Sequence, residues 1–210
     1  MLNAGVLTFK EFAMSEPLPL ATVHEAVLDF LRGRADAVVF GATAVNAYVS
    51  ESRMTQDIDI MSPRAADLAE ELREHLSTRF HIAVRVREVG EGKGYRVFQI
   101  QKSGNRHLVD LRAVDRLPSA ERISDVLVMT APELIARKVI SYQKRRGQPK
   151  SGSDWRDIAM LLLAFPELKT IDGSVSEILN SLQATAEEIA TWQDFVSQKI
   201  DLPDEDAEFG

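Results

Sequence analysis

The sequence predicts an α+β fold, a small mixed β-sheet with flanking helices followed by an all-helical C-terminal region. Three observations carry this expectation. A block of short alternating or β-branched runs occupies residues 36–113, interrupted by one long amphipathic helix. After Pro118 the hydrophobic spacing turns helical and stays so. The length of 210 residues suits one sizeable domain, or a compact core with a small helical addition. The expected division is a core over 20–117, a helical domain over 118–200, and irregular ends at 1–19 and 201–210.

Each element follows from its residues. Val23, Val27, Leu28 and Leu31 share one face of a helix expected over 22–34. Asp36 to Phe40 reads as a short buried strand running into Gly41, and Ala42 to Val49 as a helix. Gln56 to Met61 alternates acid and apolar as a second strand. Leu68, Leu72 and Leu76 lie one turn apart on a helix over 64–79. His81 to Glu88 and Tyr95 to Gln101 flank the Gly90–Gly94 turn as a hairpin. Gly104-Asn105 turns again, into a strand over 107–113. Thr130-Ala-Pro-Glu133 has the form of a capping box opening a helix to Lys144. Ser153 is the expected cap of the next helix, ending at Ala164. Two more start near Ser174 and Thr185, the latter with a Thr185/Glu188 box.

Composition narrows the chemistry. The chain has no cysteine, which removes disulfides, thiolate metal sites and cysteine nucleophiles. No run approaches the ~20 apolar residues of a membrane span, and the N-terminus lacks a secretory pattern, so a cytoplasmic protein is expected. The net charge is −7, but Asp201, Asp204, Glu205, Asp206 and Glu208 crowd the last ten residues; without them 27 acids face 25 bases. That is not the strongly basic balance of a protein binding nucleic acid over a whole face.

The residues with chemical potential centre on Asp57 and Asp59. On a strand, residues i and i+2 share a face, so both carboxylates project together while Ile58 and Ile60 bury behind them. Side by side they repel unless a cation sits between, and an oxygen donor set suits Mg²⁺ or Mn²⁺. Taken alone, the pair more often marks the solvent face of an edge strand. Gly41, between a buried strand and a helix, lets the backbone approach a phosphate at the helix N-terminus, and Thr43 adds a hydroxyl there. Asp110, on a later strand, supplies a third acid; its alternative is an ion pair with Arg96 or Arg112. His24, His75, His81 and His107 show no metal-ligand spacing.

Gly41-Ala-Thr-Ala-Val, Arg53-x-Thr55-x-Asp57-Ile-Asp59-Ile and Val109-Asp110-Leu together resemble the nucleotidyltransferase (polymerase beta-like) superfamily, and within it the AbiEii-type toxin branch. The resemblance spans about residues 20–165, and its most specific piece is the Arg53–Ile60 string. It implies the nucleotidyltransferase fold and metal binding by Asp57, Asp59 and Asp110. It also implies a nucleoside triphosphate held by Gly41, Ala42 and Thr43. Lys138 and Arg145 match the lysine and basic stretch that the branch carries ahead of an aspartate, here Asp154 or Asp157, and would bind phosphate. Arg53, just ahead of the carboxylate strand, would touch phosphate, orient the acidic loop or pair with Asp57 when no metal is present. Two departures stand out: Ala42 replaces a Gly or Ser, leaving only a backbone amide, and the spacing from Ala42 to Asp57 is long.

The implied function is transfer of a nucleoside monophosphate to an acceptor hydroxyl, with pyrophosphate released. The branch implies a tRNA acceptor and a cognate antitoxin protein. Two alternatives stay open: a small-molecule transferase of the aminoglycoside kind, which an acidic chain suits, and a nucleotide- or partner-binding module without turnover.

Overall fold

A computed structural model describes residues 18–101 and 104–201. Most of the expected ends at 1–19 and 201–210 lie outside the described residues, as does the acidic tail beyond Asp201. The order is α1 (Leu20–Leu31), β1 (Val38–Phe40), α2 (Gly41–Asn46), β2 (Ile58–Ser62), α3 (Ala65–Phe80), β3 (Val84–Val89), β4 (Gly94–Gln99) and β5 (Arg106–Ala113). It continues with β6 (Ala120–Ile123), β7 (Val126–Met129), α4 (Ala131–Lys144), α5 (Pro149–Ala164), a 3₁₀ turn (Pro166–Leu168), α6 (Ser174–Ser181) and α7 (Ala186–Ser197). The α+β class is as the sequence predicts.

The strands form one mixed sheet in the order β3-β4-β5-β2-β1-β7-β6. β3, β4 and β5 pair antiparallel; β2 runs parallel to β5 and β1 parallel to β7. The chain groups into two compact units. Among the described residues, the first holds 18–39, Met54–Leu117 and Arg122–Val128; the second holds Phe40–Arg53, Pro118–Glu121 and 129–201. Phe40–Arg53, inside the 20–117 stretch by sequence position, thus groups with the helical region.

In the first unit α3 packs on β2, β3, β4 and β5, and α1 packs on α3. Leu68, Leu72 and Leu76 are fully buried, as are Ile58, Ile60, Val97 and Val109. In the second unit α4 packs against α5, α6 and α7, with Leu134, Ile135, Ile158 and Leu161 inside. Trp192 and Phe195 of α7 are almost fully buried there, and each such burial contributes about 1.5–3 kcal/mol.

Four local expectations are corrected. Helix α1 stops at Leu31 because Gly33 adopts a left-handed φ of 72° and its N–H turns away to the Asp125 carbonyl, 2.9 Å off. The stretch after Pro118 is not all helix: β6 and β7 form a hairpin about Ser124 and Asp125, both at positive φ (49° and 66°). Thr130 stands at the N-cap of α4 without a side-chain bond; its own N–H goes to the Ser119 carbonyl at 3.0 Å and Glu133 pairs with Arg137 at 2.7 Å, so the reciprocal box is not made, whereas the Thr185/Glu188 box of α7 does form. Helix α5 begins at Pro149 rather than near Ser153, since proline suits the first turn.

Candidate active site

Two clusters of charged side chains stand out, one in each unit. In the first unit, Asp57 lies at the mouth of β2, and Asp59 on the strand, both half-buried while Ile58 and Ile60 are fully buried. The parallel pairing sets Asp59 directly beside Asp110 of β5. Thr55 Oγ1 donates to the Asp57 carbonyl at 2.8 Å and fixes the backbone just before the strand. The three acids named from the sequence therefore share one face of two neighbouring strands.

Sequence spacing did not reveal His107. In a regular strand, residues 107 and 110 point to opposite faces, because three is odd. Here the β4–β5 register slips: Val97 pairs with Val109, but Phe98 pairs with His107, leaving Leu108 as the extra residue of a bulge. Leu108 and Val109 are both fully buried in consequence, and His107 swings onto the face of Asp110. Its Nδ1 lies 3.1 Å from Asp57 and its Nε2 3.2 Å from Asp110, the latter close enough for an ion pair though not aligned as a hydrogen bond. Asp110 and Asp57 together raise the imidazole pKa to about 9, against the lowering effect of burial. Burial alone would raise the Asp110 pKa, yet His107 and Arg96, whose Nε donates at 2.9 Å, hold it below the ordinary carboxylate value.

Asp57, His107 and Asp110 form a candidate metal site, with one ligand atom from each lying within 4.8 Å of the others. The two carboxylates suit Mg²⁺ or Mn²⁺, whereas an imidazole suits softer ions. The fit to a hard divalent ion thus rests on the acids, and the cationic ring competes with such an ion for them. All three side chains keep 26–31% of their surface open to water.

The second unit holds the remaining residues expected at the site. Gly41 opens α2 at φ 69°, a left-handed conformation that glycine adopts without the Cβ clash of other residues. Ala42 is buried, and Thr43 Oγ1 is buried with no hydrogen-bond partner among the described residues. An orphaned buried hydroxyl is costly, and a ligand oxygen would satisfy it. At the far end of α2, the Asn46 side-chain amide grips the backbone of Arg53 twice: Nδ2 donates to its carbonyl at 2.8 Å, and Oδ1 accepts from its N–H at 3.0 Å.

The Arg53 guanidinium donates to both oxygens of Asp157, at 2.8 and 2.9 Å. Lys138 Nζ sits 2.7 Å from Asp157 and 3.6 Å from Asp154, and Arg145 donates to Asp154 at 2.9 Å. Burial alone would raise the Asp157 pKa; the Arg53 and Lys138 charges reverse that and hold it low. Asp154 and Asp157 face these three cations from one side of α5, three residues apart. The cations expected at phosphate are thus engaged by carboxylates, with Arg145 keeping 37% of its side chain exposed against 11% for Lys138.

Comparison with known proteins adds the rest. The profile of a family described as "Nucleotidyl transferase AbiEii toxin, Type IV TA system" matches residues 28–207. No curated protein sequence matches the chain. Among solved structures, the Megavirus polyadenylate synthase aligns at a TM-score of 0.58 with 17% identity, over 70% of this chain and 32% of that one. This chain therefore spans about a third of the viral protein's length. JHP933 from Helicobacter pylori aligns at 0.57 with 14% identity, over 91% and 92% of the two chains. ANT(2")-Ia, solved in complex with adenylyl-2"-tobramycin, aligns at 0.50 with 12% identity, over 79% and 97%. At these identities the likenesses concern the fold.

Proposed function

The chain belongs to the AbiEii nucleotidyl transferase toxin family of type IV toxin–antitoxin systems, and from that premise we propose that it moves a nucleoside monophosphate from a nucleoside triphosphate to an acceptor hydroxyl on tRNA. The observation that carries this reading is the meeting of Asp57 and Asp110 on one open sheet face, with Asp59 in register beside Asp110. The acceptor oxygen bonds to the α-phosphorus, the bridging bond toward the β-phosphate breaks, and pyrophosphate leaves. The hydroxyl proton passes to the Asp110 carboxylate.

Asp57, Asp59 and Asp110 would hold Mg²⁺ or Mn²⁺. When bound, such ions supply charge neutralisation on the phosphates and lower the pKa of the attacking hydroxyl. Gly41, Ala42 and Thr43 would hold the triphosphate, the orphaned Thr43 hydroxyl supporting that role. Arg145, the more exposed cation, is the better placed to reach a phosphate. Lys138 and Arg53, paired with Asp157, serve first to hold the second unit together. A cognate antitoxin protein is the expected partner, as for the family. Among the described residues no helix is long and apolar enough to cross a membrane, in keeping with the cytoplasmic location we propose.

The test is an acceptor screen. Purified protein with Mg²⁺ and each labelled nucleotide should label tRNA, and Asp57→Ala should abolish it. Labelling that survives the substitution removes the mechanism. Label on a cationic small molecule instead moves the acceptor to the aminoglycoside kind, and tight nucleotide binding without transfer leaves a binding module.

A further inference from the structure

We propose that the arginine-bearing face of β3 and β4 is a docking track for a single-stranded RNA acceptor, leading its phosphate backbone to the acidic cluster. This rests on the transfer reading above and locates where the acceptor lies. Cross-strand pairing builds two rows. Arg87 pairs with Arg96, Arg96 with Asp110, and Asp110 with Asp59. Arg85 pairs with Phe98, and Phe98 with His107. Directly paired residues share a face, so both rows lie on the face that carries the carboxylates. Strand spacing of about 4.8 Å puts Arg87 two strands, roughly 10 Å, from the Asp110 strand.

The opposite face carries Val86 and Val97, with α3 packed against these strands. On the open face, β3 and β4 present three arginines and no carboxylate, in a chain of net charge −7. Arg85 and Arg87 are exposed, and among the described residues no carboxylate pairs with either. Charges do protect edge strands from unwanted pairing, but either sign serves that purpose. One sign on one face, running toward the acids, is what an anionic polymer requires. Phe98 lies half-buried with its ring 5.0 Å from that of His107, adding an aromatic surface of the kind on which unpaired bases stack. The same arginines disfavour a cationic small acceptor on this face.

The experiment uses the full chain and a 5′-labelled single-stranded RNA oligonucleotide with a free 3′ hydroxyl, followed by fluorescence anisotropy at several salt concentrations. Wild type should bind with salt-sensitive affinity. The charge-reversal pair Arg85→Glu/Arg87→Glu should bind at least about tenfold more weakly and lower the log–log salt slope by about 1.4, from two lost phosphate contacts. Arg32→Glu, just past the end of α1, should bind as wild type does. Circular dichroism checks folding, and Arg85→Gln/Arg87→Gln, which should weaken binding in the same direction, serves if the reversal unfolds the hairpin. No binding by wild type, or equal binding by the Arg85/Arg87 variants, overturns the track. RNA binding that tracks Arg85 and Arg87 without any transfer by wild type sinks the transfer reading alone.

Discussion

The acidic cluster around His107 and the ionic cluster around Asp157 use the same kinds of charged group but differ in their relation to water. Asp57, His107 and Asp110 keep about a quarter to a third of their surfaces exposed. Asp157 is fully buried, Asp154 and Lys138 nearly so, and three cations outnumber two acids. A buried charge must be answered by protein groups, so the second cluster is closed on itself. An exposed charge can wait for a ligand. The same kinds of group are thus largely closed off in one unit and left open to water in the other.

Breaking the closed cluster should have the largest effect. Asp157→Ala strands the Arg53 and Lys138 charges and should cost about 3–5 kcal/mol in urea denaturation. Asp157→Asn, which keeps some hydrogen bonding, should cost less. A loss under about 1 kcal/mol would show that the network is not the structural element its burial implies.

The open cluster should respond to metal instead. Mg²⁺ at about a hundred times its dissociation constant should stabilise wild type by about 2.7 kcal/mol, read as a rise in Tm. Asp57→Asn should remove most of that rise while leaving the metal-free Tm within a few degrees of wild type. An unchanged Mg²⁺ response would displace the ion from Asp57.

The smallest effect sharpens the contrast through pH. The folded-state pKa of Asp157 is depressed below the ordinary value of 3.8, so its contribution is present in full above that value. It is lost as pH falls through the depressed folded value. Asp157→Asn should therefore flatten the stability curve below about pH 4, where the unfolded carboxyl begins to take up protons. Parallel acid curves for the two proteins would show that Asp157 is not held low.

Where sequence and structure agree, simple periodicities govern. The alternation of Asp57, Ile58, Asp59 and Ile60 fixed their faces before any pairing was known, and parallel register brought Asp110 alongside. Where they part, the cause is non-local. His107 joins the acids only because the bulge at Leu108 changes the parity of β5; two adjacent buried residues, Leu108 and Val109, were the sole trace of it in the sequence. The β6–β7 hairpin turns on Ser124 and Asp125 at positive φ, without the glycine that usually announces such a turn. Thr130 and Thr185 carry the same capping pattern, yet only Thr185 forms the box: the Thr130 N–H is taken by the Ser119 carbonyl and the Glu133 carboxylate by Arg137. Asp154 and Asp157 matched a family pattern, but the three-way pairing that buries them depends on Arg53, about a hundred residues earlier.

The grip of Asn46 on the Arg53 backbone has a consequence for chain length. Its two hydrogen bonds close the segment between them as a loop whose ends are held together by one side chain. The entropy of closing such a loop rises only with the logarithm of its length, about 0.6 kcal/mol for each doubling. Tyr48 is tied to Glu121 and the Met129 carbonyl and Val49 is buried, so a change in length is absorbed most cheaply at the exposed residues 50–52. Part of the long spacing between Ala42 and Asp57 is then taken up within the clasped loop, and its exposed end is where the chain best tolerates a change in length.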